Sequence, residues 1–354
     1  MIEDKSGNFY GTTSGGGTAG GGTVFKLAPD GSETVLYNFC SQMNCSDGAF
    51  PGAGLIADGA SNLYGTTTQG GVGIGFSGAG GGTLFKLAPD GTETVLYNFC
   101  SQTKCSDGWG PAASLLADES GNFYSTTGAG GTGCSRGGCG TVFKLAPDGT
   151  ETVLHDFAGK KDGAYLGAGL VADSAGNLYG ETGQGGDKGC NCGTVFELTP
   201  EGAKSVLHAF RSDGDGFAPQ GGLMLDSAGN LYGSANDVFK LTPDGTLKVL
   251  HYFSGGSDGG VPNGDLIADS MGNLYGTTIL GGGTGCDTGI GCGIVFKLMP
   301  DGSETILHDF AGSDGYRPQS GVIADKAGNI YGTTYEGGTG CGDPGCGTVY
   351  RLIH

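Results

Sequence analysis

Basic residues are scarce in this chain. Seventeen Lys and Arg stand against 36 Asp and Glu, a formal net charge of −19. A surface of that sign repels nucleic-acid phosphates and anionic lipid, which counts against both as partners. There is no apolar run of the roughly 18 residues that a membrane-spanning helix needs. The opening MIEDKSGNFY has neither a basic start nor an apolar core, so no signal peptide is visible. Helical periodicity never survives beyond a turn. Tryptophan occurs once, as Trp109. No G-x-S-x-G, no H-E-x-x-H and no phosphate loop leading into a helix is present.

What is abundant is glycine, at 79 of 354 positions. Such a content without a period would suggest low complexity, but a period exists. The phrase GNLYGTT recurs with small changes, its tyrosine falling at Tyr10, Tyr64, Tyr124, Tyr179, Tyr232, Tyr275 and Tyr331, spacings of 54, 60, 55, 53, 43 and 56 residues. One complete unit, residues 52–99, reads as four short strands: A in GLIAD, B in NLYGTT, C in GTLFKL and D in TETVLYNF. Each is rich in branched and aromatic residues and bounded by turn formers. The A–B link DGASN is a tight polar turn, and the C–D link APDGT is a Pro-Asp-Gly hairpin turn.

Four antiparallel strands per unit, repeated seven times, predict an all-β fold, a seven-bladed β-propeller forming a single domain over residues 1–354. The blade units run approximately 1–39, 52–99, 112–157, 167–210, 221–253, 264–310 and 320–354. Strands A, B and C each occur seven times but strand D only six, so the last blade lacks its outer strand. The chain thus reads either as having lost an upstream strand or as carrying an exposed edge over residues 347–353, an aggregation liability. Link topology puts the D–A and B–C links on one face. That face holds all twelve cysteines and the links of most variable length, and loops on a rigid scaffold are where binding concentrates.

The cysteines form six close pairs: Cys40/Cys45, Cys100/Cys105, Cys134/Cys139, Cys190/Cys192, Cys286/Cys292 and Cys341/Cys346. A structural zinc needs four converging ligands, whereas each pair offers two and has no histidine beside it. A thioredoxin-like site needs Cys-x-x-Cys before a helix. Local disulfides remain, staples on Gly-rich loops, each contributing about 2 kcal/mol by closing a short loop and implying an oxidising compartment. The Cys190-Asn191-Cys192 ring is the tightest, expected to reduce most easily or to pair elsewhere.

An Asp-Gly opens each strand A, at Asp47, Asp107, Asp162, Asp215, Asp258 and Asp314. One reading is a turn whose Asp accepts local backbone N–H bonds. The other is a ring of carboxylates at the channel mouth with Phe50, Trp109, Tyr165, Phe217 and Tyr316 among them, suited to calcium or to sugar rings. Calcium is the sole cofactor to which the residues point. Four histidines, His155, His208, His251 and His308, share a strand D position with Tyr37 and Tyr97, which marks it as a packing position. Two carboxylates break the repeat: Glu181 replaces the first threonine of GTT, and Glu336 sits in the last B–C link. Paired carboxylates do glycosidase chemistry, but several blades lie between these two.

The unit GTVFKLxPDGxETVLHxF with GLIADxxGNLYGTT resembles the tandem-repeat GloVer-containing proteins of bacteria. The recurring GTVFKL, GTLFKL, GTVFEL, GIVFKL and GTVYRL carry that resemblance over essentially the whole chain. It implies export and surface display but no activity. The chain departs from it in showing neither leader nor anchor, which suggests a removed leader or a fragment. The expectation is an extracellular or cell-surface binding or display module, a monomer, engaging a glycan, a surface protein or calcium. The alternatives are a polysaccharide lyase or hydrolase working at the channel mouth, and a purely structural surface protein.

Overall fold

In the computed structural model, residues 1–73, 78–135, 137–186, 189–211, 214–283, 289–338 and 345–353 are described. They form seven antiparallel sheets, six of four strands and one of three, each with its strands in chain order. The fold is a seven-bladed β-propeller with almost no helix. Three single 3-10 turns, Met43–Cys45, Thr103–Cys105 and Lys160–Asp162, lie in D–A links. In blade two the strands are Ile56–Ala57, Leu63–Thr67, Thr83–Leu87 and Glu93–Asn98. In blade seven they are Ile323–Ala324, Ile330–Thr333 and Val349–Leu352, with no fourth strand among the described residues. Strand A of blade six is longer than the repeat predicts. It begins at Gly260 because a bulge between Asn263 and Ile267 lets it pair onward to Leu280.

The chain divides into two compact units, Met1–Lys188 with Val195–Val206, and Gly189–Thr194 with Leu207–His354. Each is built the same way. The phenylalanine that ends strand D packs against the strand C aromatic of the next blade, edge-on in five pairs and tilted in Phe253–Phe296. In the first unit these pairs are Phe39–Phe85, Phe99–Phe143 and Phe157–Phe196, with ring centroids 4.9, 4.9 and 5.2 Å apart. In the second they are Phe210–Phe239, Phe253–Phe296 and Phe310–Tyr350, at 5.3, 5.1 and 5.1 Å. Edge-to-face rings at these separations contribute about 0.5–1.5 kcal/mol beyond their area burial. The strand C ring also explains the glycine of LYGTT. A Cβ at Gly65 would stand 2.8 Å from the Phe85 ring, and one at Gly276 would stand 2.7 Å from Phe296.

The A–B turn is held by a network that recurs in all seven blades. In blade two, Asp58 Oδ1 accepts from the Ala60 and Asn62 backbone N–H groups, both at 2.9 Å. Its Oδ2 accepts from Asn62 Nδ2 at 2.7 Å and from the Tyr64 hydroxyl at 3.0 Å. Burial opposes ionisation there, but the hydrogen bonds from Asn62 and Tyr64 outweigh it and hold the Asp58 carboxyl below its ordinary value. The same four groups meet at Asp4, Asp118, Asp173, Asp226, Asp269 and Asp325. This is why Asp, Asn and Tyr keep their spacing in ADxxGNLYG.

Phe99 is fully buried between blades, so Phe99→Ala is expected to cost about 3–5 kcal/mol of unfolding free energy in urea denaturation. A loss below about 1 kcal/mol would show that the aromatic ladder does not carry the stability assigned to it.

Candidate functional site

The D–A links hold most of the residues that the sequence singles out, and within them the structure separates carboxylates from aromatics. Asp47 and Asp107 are completely buried. Asp47 Oδ2 accepts from the Tyr37 hydroxyl at 3.0 Å, the Ser41 N–H at 2.9 Å and the Ser41 hydroxyl at 2.8 Å, while the Gln42 N–H reaches Oδ1. Asp107 repeats this with Tyr97, Ser101 and Gln102. Asp162, Asp215 and Asp314 meet His155, His208 and His308 at 3.1, 2.9 and 2.9 Å. Each also takes a backbone N–H, from Ala158, Arg211 and Ala311. Asp258 is held by the Ser254 N–H and hydroxyl.

The strand D position shared by His and Tyr is therefore more than a packing position. Its ring does stack on the neighbouring phenylalanine, as in His155–Phe157 and Tyr37–Phe39. In five of the six blades it also presents an N–H or O–H to the aspartate, which is the property the two side chains have in common; His251 instead lies 3.6 Å from Glu304.

A third member of this cluster comes from the next blade, and nothing in one repeat announces it. It is the first residue of strand D. In blades two, three and six it is Glu93, Glu151 and Glu304; in blade four it is Lys204. Lys204 Nζ lies 2.7 Å from Asp162 Oδ1 and 4.8 Å from the centre of the Phe157 ring. Burial disfavours the Asp162 carboxylate, yet hydrogen bonds from His155 and Lys204 and the lysine charge push its pKa far down. The glutamates behave in the opposite way. Glu151 Oε2 sits 3.5 Å from the Tyr97 hydroxyl, which already lies 3.0 Å from Asp107. One hydroxyl faces two carboxylates and can donate to one. Burial first, and then the charge of Asp107, raise Glu151 to about 7, and burial and Asp47 do the same for Glu93.

The aromatics occupy two distinct positions. Trp109, Phe217 and Tyr316 directly follow the Asp-Gly and pair with the B–C link of the next blade. Trp109 bridges Ala129, Tyr316 bridges Glu336, and the Phe217 N–H donates to the Ala235 carbonyl at 2.9 Å. The Trp109 indole N–H donates to the Gly80 carbonyl at 3.1 Å. Phe50 and Tyr165 stand one residue later, on left-handed backbone at φ 57° and 59°. Ala218, Val261 and Arg317 share that conformation at φ 50°, 56° and 55°. In most blades this residue's N–H is pinned by a carbonyl of the preceding B–C link: Phe50 by Gly21 at 2.7 Å, Tyr165 by Cys139 at 3.0 Å, Ala218 by Cys192 at 2.7 Å and Arg317 by Cys292 at 3.0 Å. Residues at φ > 0 are strained, and the two aromatics there, Phe50 and Tyr165, stand in solvent. Tyr165 is 53% exposed, Phe50 40% and Phe217 51%, whereas Tyr316 is 8% exposed. Phe217 stays open because blade five has the shortest B–C link.

Four of the expected disulfides are present: Cys40–Cys45, Cys100–Cys105, Cys134–Cys139 and Cys190–Cys192. The last of these means that Cys190 and Cys192 pair with each other and not elsewhere. Cys292 and Cys346 are also bonded; Cys286 and Cys341 lie outside the described residues. The picture of staples on open, Gly-rich loops needs one correction, clearest at Cys105. Cys105 closes the 3-10 turn Thr103–Cys105 on left-handed backbone at φ 53° and is buried, as is Cys100. The reason is that the Cys105 carbonyl accepts from the Gly108 N–H at 3.0 Å and the Gly131 N–H at 2.8 Å. The first closes the turn onto its own link, and the second draws it against the B–C link of the next blade. Cys45 does the same with Gly48 and Gly71, both at 2.9 Å. Cys139, Cys192 and Cys292 are buried as well, and they supply the carbonyls that pin the left-handed residues. The first two bridges thus close the loops around Asp47 and Asp107 from within.

Glu181 is buried where Thr66 and Thr126 donate to backbone carbonyls of the following D–A link. Glu336 lies 3.7 Å from Arg317, whose guanidinium stacks on Tyr316. Glu181 belongs to the first unit and Glu336 to the second. Among the described residues, no three or more His, Cys, Asp and Glu converge to hold a metal ion, and no helix is long and apolar enough to cross a membrane.

The profile of a family described as the Gloeobacter/Verrucomicrobia repeat matches residues 1–132 and 234–354. No curated protein sequence matches the chain. Among solved structures, a streptogramin B lyase aligns at TM-score 0.58 and 15% identity over 92% of this chain and 90% of its own. The virginiamycin B lyase of Staphylococcus aureus aligns at 0.56 and 13% over 90% and 87%. At such identities the likeness is one of fold.

A glutamate with a folded pKa above its ordinary 4.5 stabilises most below that value, and the contribution is lost as pH rises through about 7. Stability is therefore expected to fall between pH 5 and pH 8 (roughly the window those two values bracket). In the Glu93→Gln, Glu151→Gln double variant, calorimetry across that range is expected to show a flattened dependence and a higher melting temperature at the alkaline end. An unchanged slope would refute the assignment. Intact mass spectrometry of unreduced protein is expected to find no free thiol at Cys40, Cys45, Cys100, Cys105, Cys134 or Cys139.

Proposed function

The chain belongs to the Gloeobacter/Verrucomicrobia repeat family, and from that premise we propose that it is an extracellular binding module recognising carbohydrate through the aromatic side chains of its D–A links. The observation that carries this reading is the division of labour inside those links. The aspartates are turned inward and consumed by hydrogen bonds. Of the aromatics beside them, Phe50 and Tyr165 stand about half exposed on strained, pinned backbone, and Phe217 is equally open on ordinary backbone. A pinned, half-exposed ring offers a flat apolar face at low conformational cost, which suits the C–H face of a sugar ring. Strain of this kind is retained where the surrounding structure over-determines it, and it clusters at ligand-binding sites. The disulfides support an oxidising, extracellular setting. At Tyr165 the carbonyl that holds the residue comes from Cys139, which is bonded to Cys134.

Calcium fits less well, because the Asp47 and Asp107 carboxylates already accept four hydrogen bonds each and are buried. The lyases that share the fold carry no chemistry over to these residues.

A glycan array probed with the intact chain and with Tyr165→Ala tests the proposal. The substitution keeps Cβ, so the left-handed backbone and the melting temperature should persist. Binding to the selected glycan should weaken about tenfold, equivalent to roughly 1.4 kcal/mol, and should not respond to EDTA. The absence of any bound glycan on the array, or undiminished binding by both Tyr165→Ala and Phe50→Ala, would remove the carbohydrate reading.

A further inference from the structure

Blade five departs from the repeat at one link, and the side chains around that link change with it. Strands Leu231–Ser234 and Asp237–Leu241 leave only Ala235 and Asn236 between B and C. In blades one, two, three and six the last residue of strand D holds the B–C link in place. Asn38 accepts from the Thr18 N–H, Asn98 from Val72, Asp156 from Thr132 and Asp309 from Gly283, at 3.0, 2.9, 2.7 and 2.6 Å. Blade five has no such loop to hold, and the residue there is Tyr252. Its hydroxyl donates to the Gly214 carbonyl at 2.8 Å, yet the residue is 60% exposed. The ring is thus tethered at its tip and otherwise open to solvent.

Phe217 stands beside the same gap, its N–H held by the Ala235 carbonyl. The strand D ring beneath is partly uncovered as well. Phe253 is 9% exposed, whereas Phe39, Phe99, Phe157, Phe210 and Phe310 are at 1% or less. The remaining change is Asp237. In blades one, two and three the first residue of strand C is a threonine whose hydroxyl meets a strand B threonine: Thr13–Thr23, Thr67–Thr83 and Thr127–Thr141. In blade five those two positions are Ala235 and Asp237. Asp237 is buried, and the Phe253 backbone N–H is its one hydrogen-bond donor among the described residues. A carboxylate has about four acceptor positions, all of which Asp47 uses. Asp237 pairs directly with Tyr252 across the C–D ladder. Directly opposed residues of an antiparallel pair carry their side chains on one face, with Cβ atoms about 4.5–5.5 Å apart.

We propose that this gap in blade five is a subsite for one neutral sugar residue of a glycan, with Tyr252 and Phe217 as apolar walls and Asp237 as the acceptor for a sugar hydroxyl. The assignment rests on the carbohydrate reading above. It adds to that reading a place, a ring outside the D–A links and a class of sugar. The tethered Tyr252 ring offers a flat face at low conformational cost. A hydroxyl donating to the partly desolvated Asp237 carboxylate makes a charge-assisted bond, shorter and stronger than one between neutral groups. The preference for a neutral sugar comes from the same residue. Burial already disfavours the one carboxylate there, against the Phe253 N–H and His251. A uronic acid would bring a second, and the net charge of −19 opposes it further. In blades one, two, three and six the equivalent strand D residue is committed to its loop and offers no ring.

Isothermal titration of the full chain with cellohexaose, mannohexaose, a chitosan hexamer and hexagalacturonate tests this. At least one of the two neutral probes is expected to bind saturably, and hexagalacturonate about tenfold more weakly or not at all. Tyr252→Ala and Phe217→Ala, both at exposed positions, should keep the melting temperature and weaken the neutral probe about tenfold each. Asp237→Asn should weaken it about fivefold and narrow the gap between neutral and acidic probes. Neutral binding that Tyr165→Ala reduces but Tyr252→Ala and Phe217→Ala leave intact would overturn the subsite while the carbohydrate reading stands. Failure of both neutral probes to bind would overturn it whatever the array shows. Tighter binding of the chitosan hexamer than of either neutral probe would overturn it in favour of a site for ammonium groups.

Discussion

The contact on which both units depend is the edge-on meeting of two phenylalanines from neighbouring blades. A four-stranded sheet of this size cannot bury enough surface to stand alone. The strand D phenylalanine reaches across to the strand C phenylalanine of the next blade, and both rings are almost completely buried. Several sequence features are consequences of that contact. The glycine of LYGTT gives the strand C ring its space. The bulge inside the C–D pair, between Leu84 and Phe85 in blade two, adjusts the register immediately next to the ring.

A polar layer accompanies this apolar one, and it is satisfied unevenly. The ring of Tyr or His, the Asp of the Asp-Gly turn and the first residue of the next strand D meet repeatedly, but their charges do not always balance. His155, Asp162 and Lys204 close into a compensated cluster. Tyr97, Asp107 and Glu151 leave one carboxylate in excess, and burial with the charge of Asp107 favours a proton on Glu151 below about pH 7. Burying such a pair is costly unless one partner is neutral. The blades are thus alike in shape and unlike in their response to pH.

How much of this can be read in the sequence depends on how far apart the interacting residues are. The strands, the Pro-Asp-Gly turns, the count of blades and the three-stranded last blade all follow from patterns within one repeat, and the structure has them. So do the four disulfides whose cysteines are both described. Their burial does not follow, because it depends on a partner outside the repeat. Cys105 is covered through a bond to Gly131 of the next blade. The interblade cluster is hidden for the same reason. Asp107 meets Glu151 in the next blade, and Asp162 meets Lys204 42 residues on. The exchange of His for Tyr reads in sequence as tolerance of shape, whereas it preserves a hydrogen-bond donor. The apparent ring of aromatics is likewise one class in sequence and two in structure. A shift of one residue after Asp-Gly changes the backbone conformation from ordinary to left-handed.

That one-residue shift indicates how such a module tolerates variety. The Asp-Gly is constant because both residues are structurally committed. The Asp is enclosed by donors, and at Gly48 a Cβ would stand 2.5 Å from the Thr67 hydroxyl on backbone at φ 92°. The next two positions are Ala-Phe, Trp-Gly, Ala-Tyr, Phe-Ala, Gly-Val and Tyr-Arg in successive links. Their backbone contacts are largely the same from blade to blade, since the bridge and the pinning N–H use main-chain atoms. Where those side chains are exposed, as at Phe50, Tyr165 and Phe217, they can change from one blade to the next. A recognition surface assembled this way can be altered one link at a time without disturbing the phenylalanine contacts beneath it.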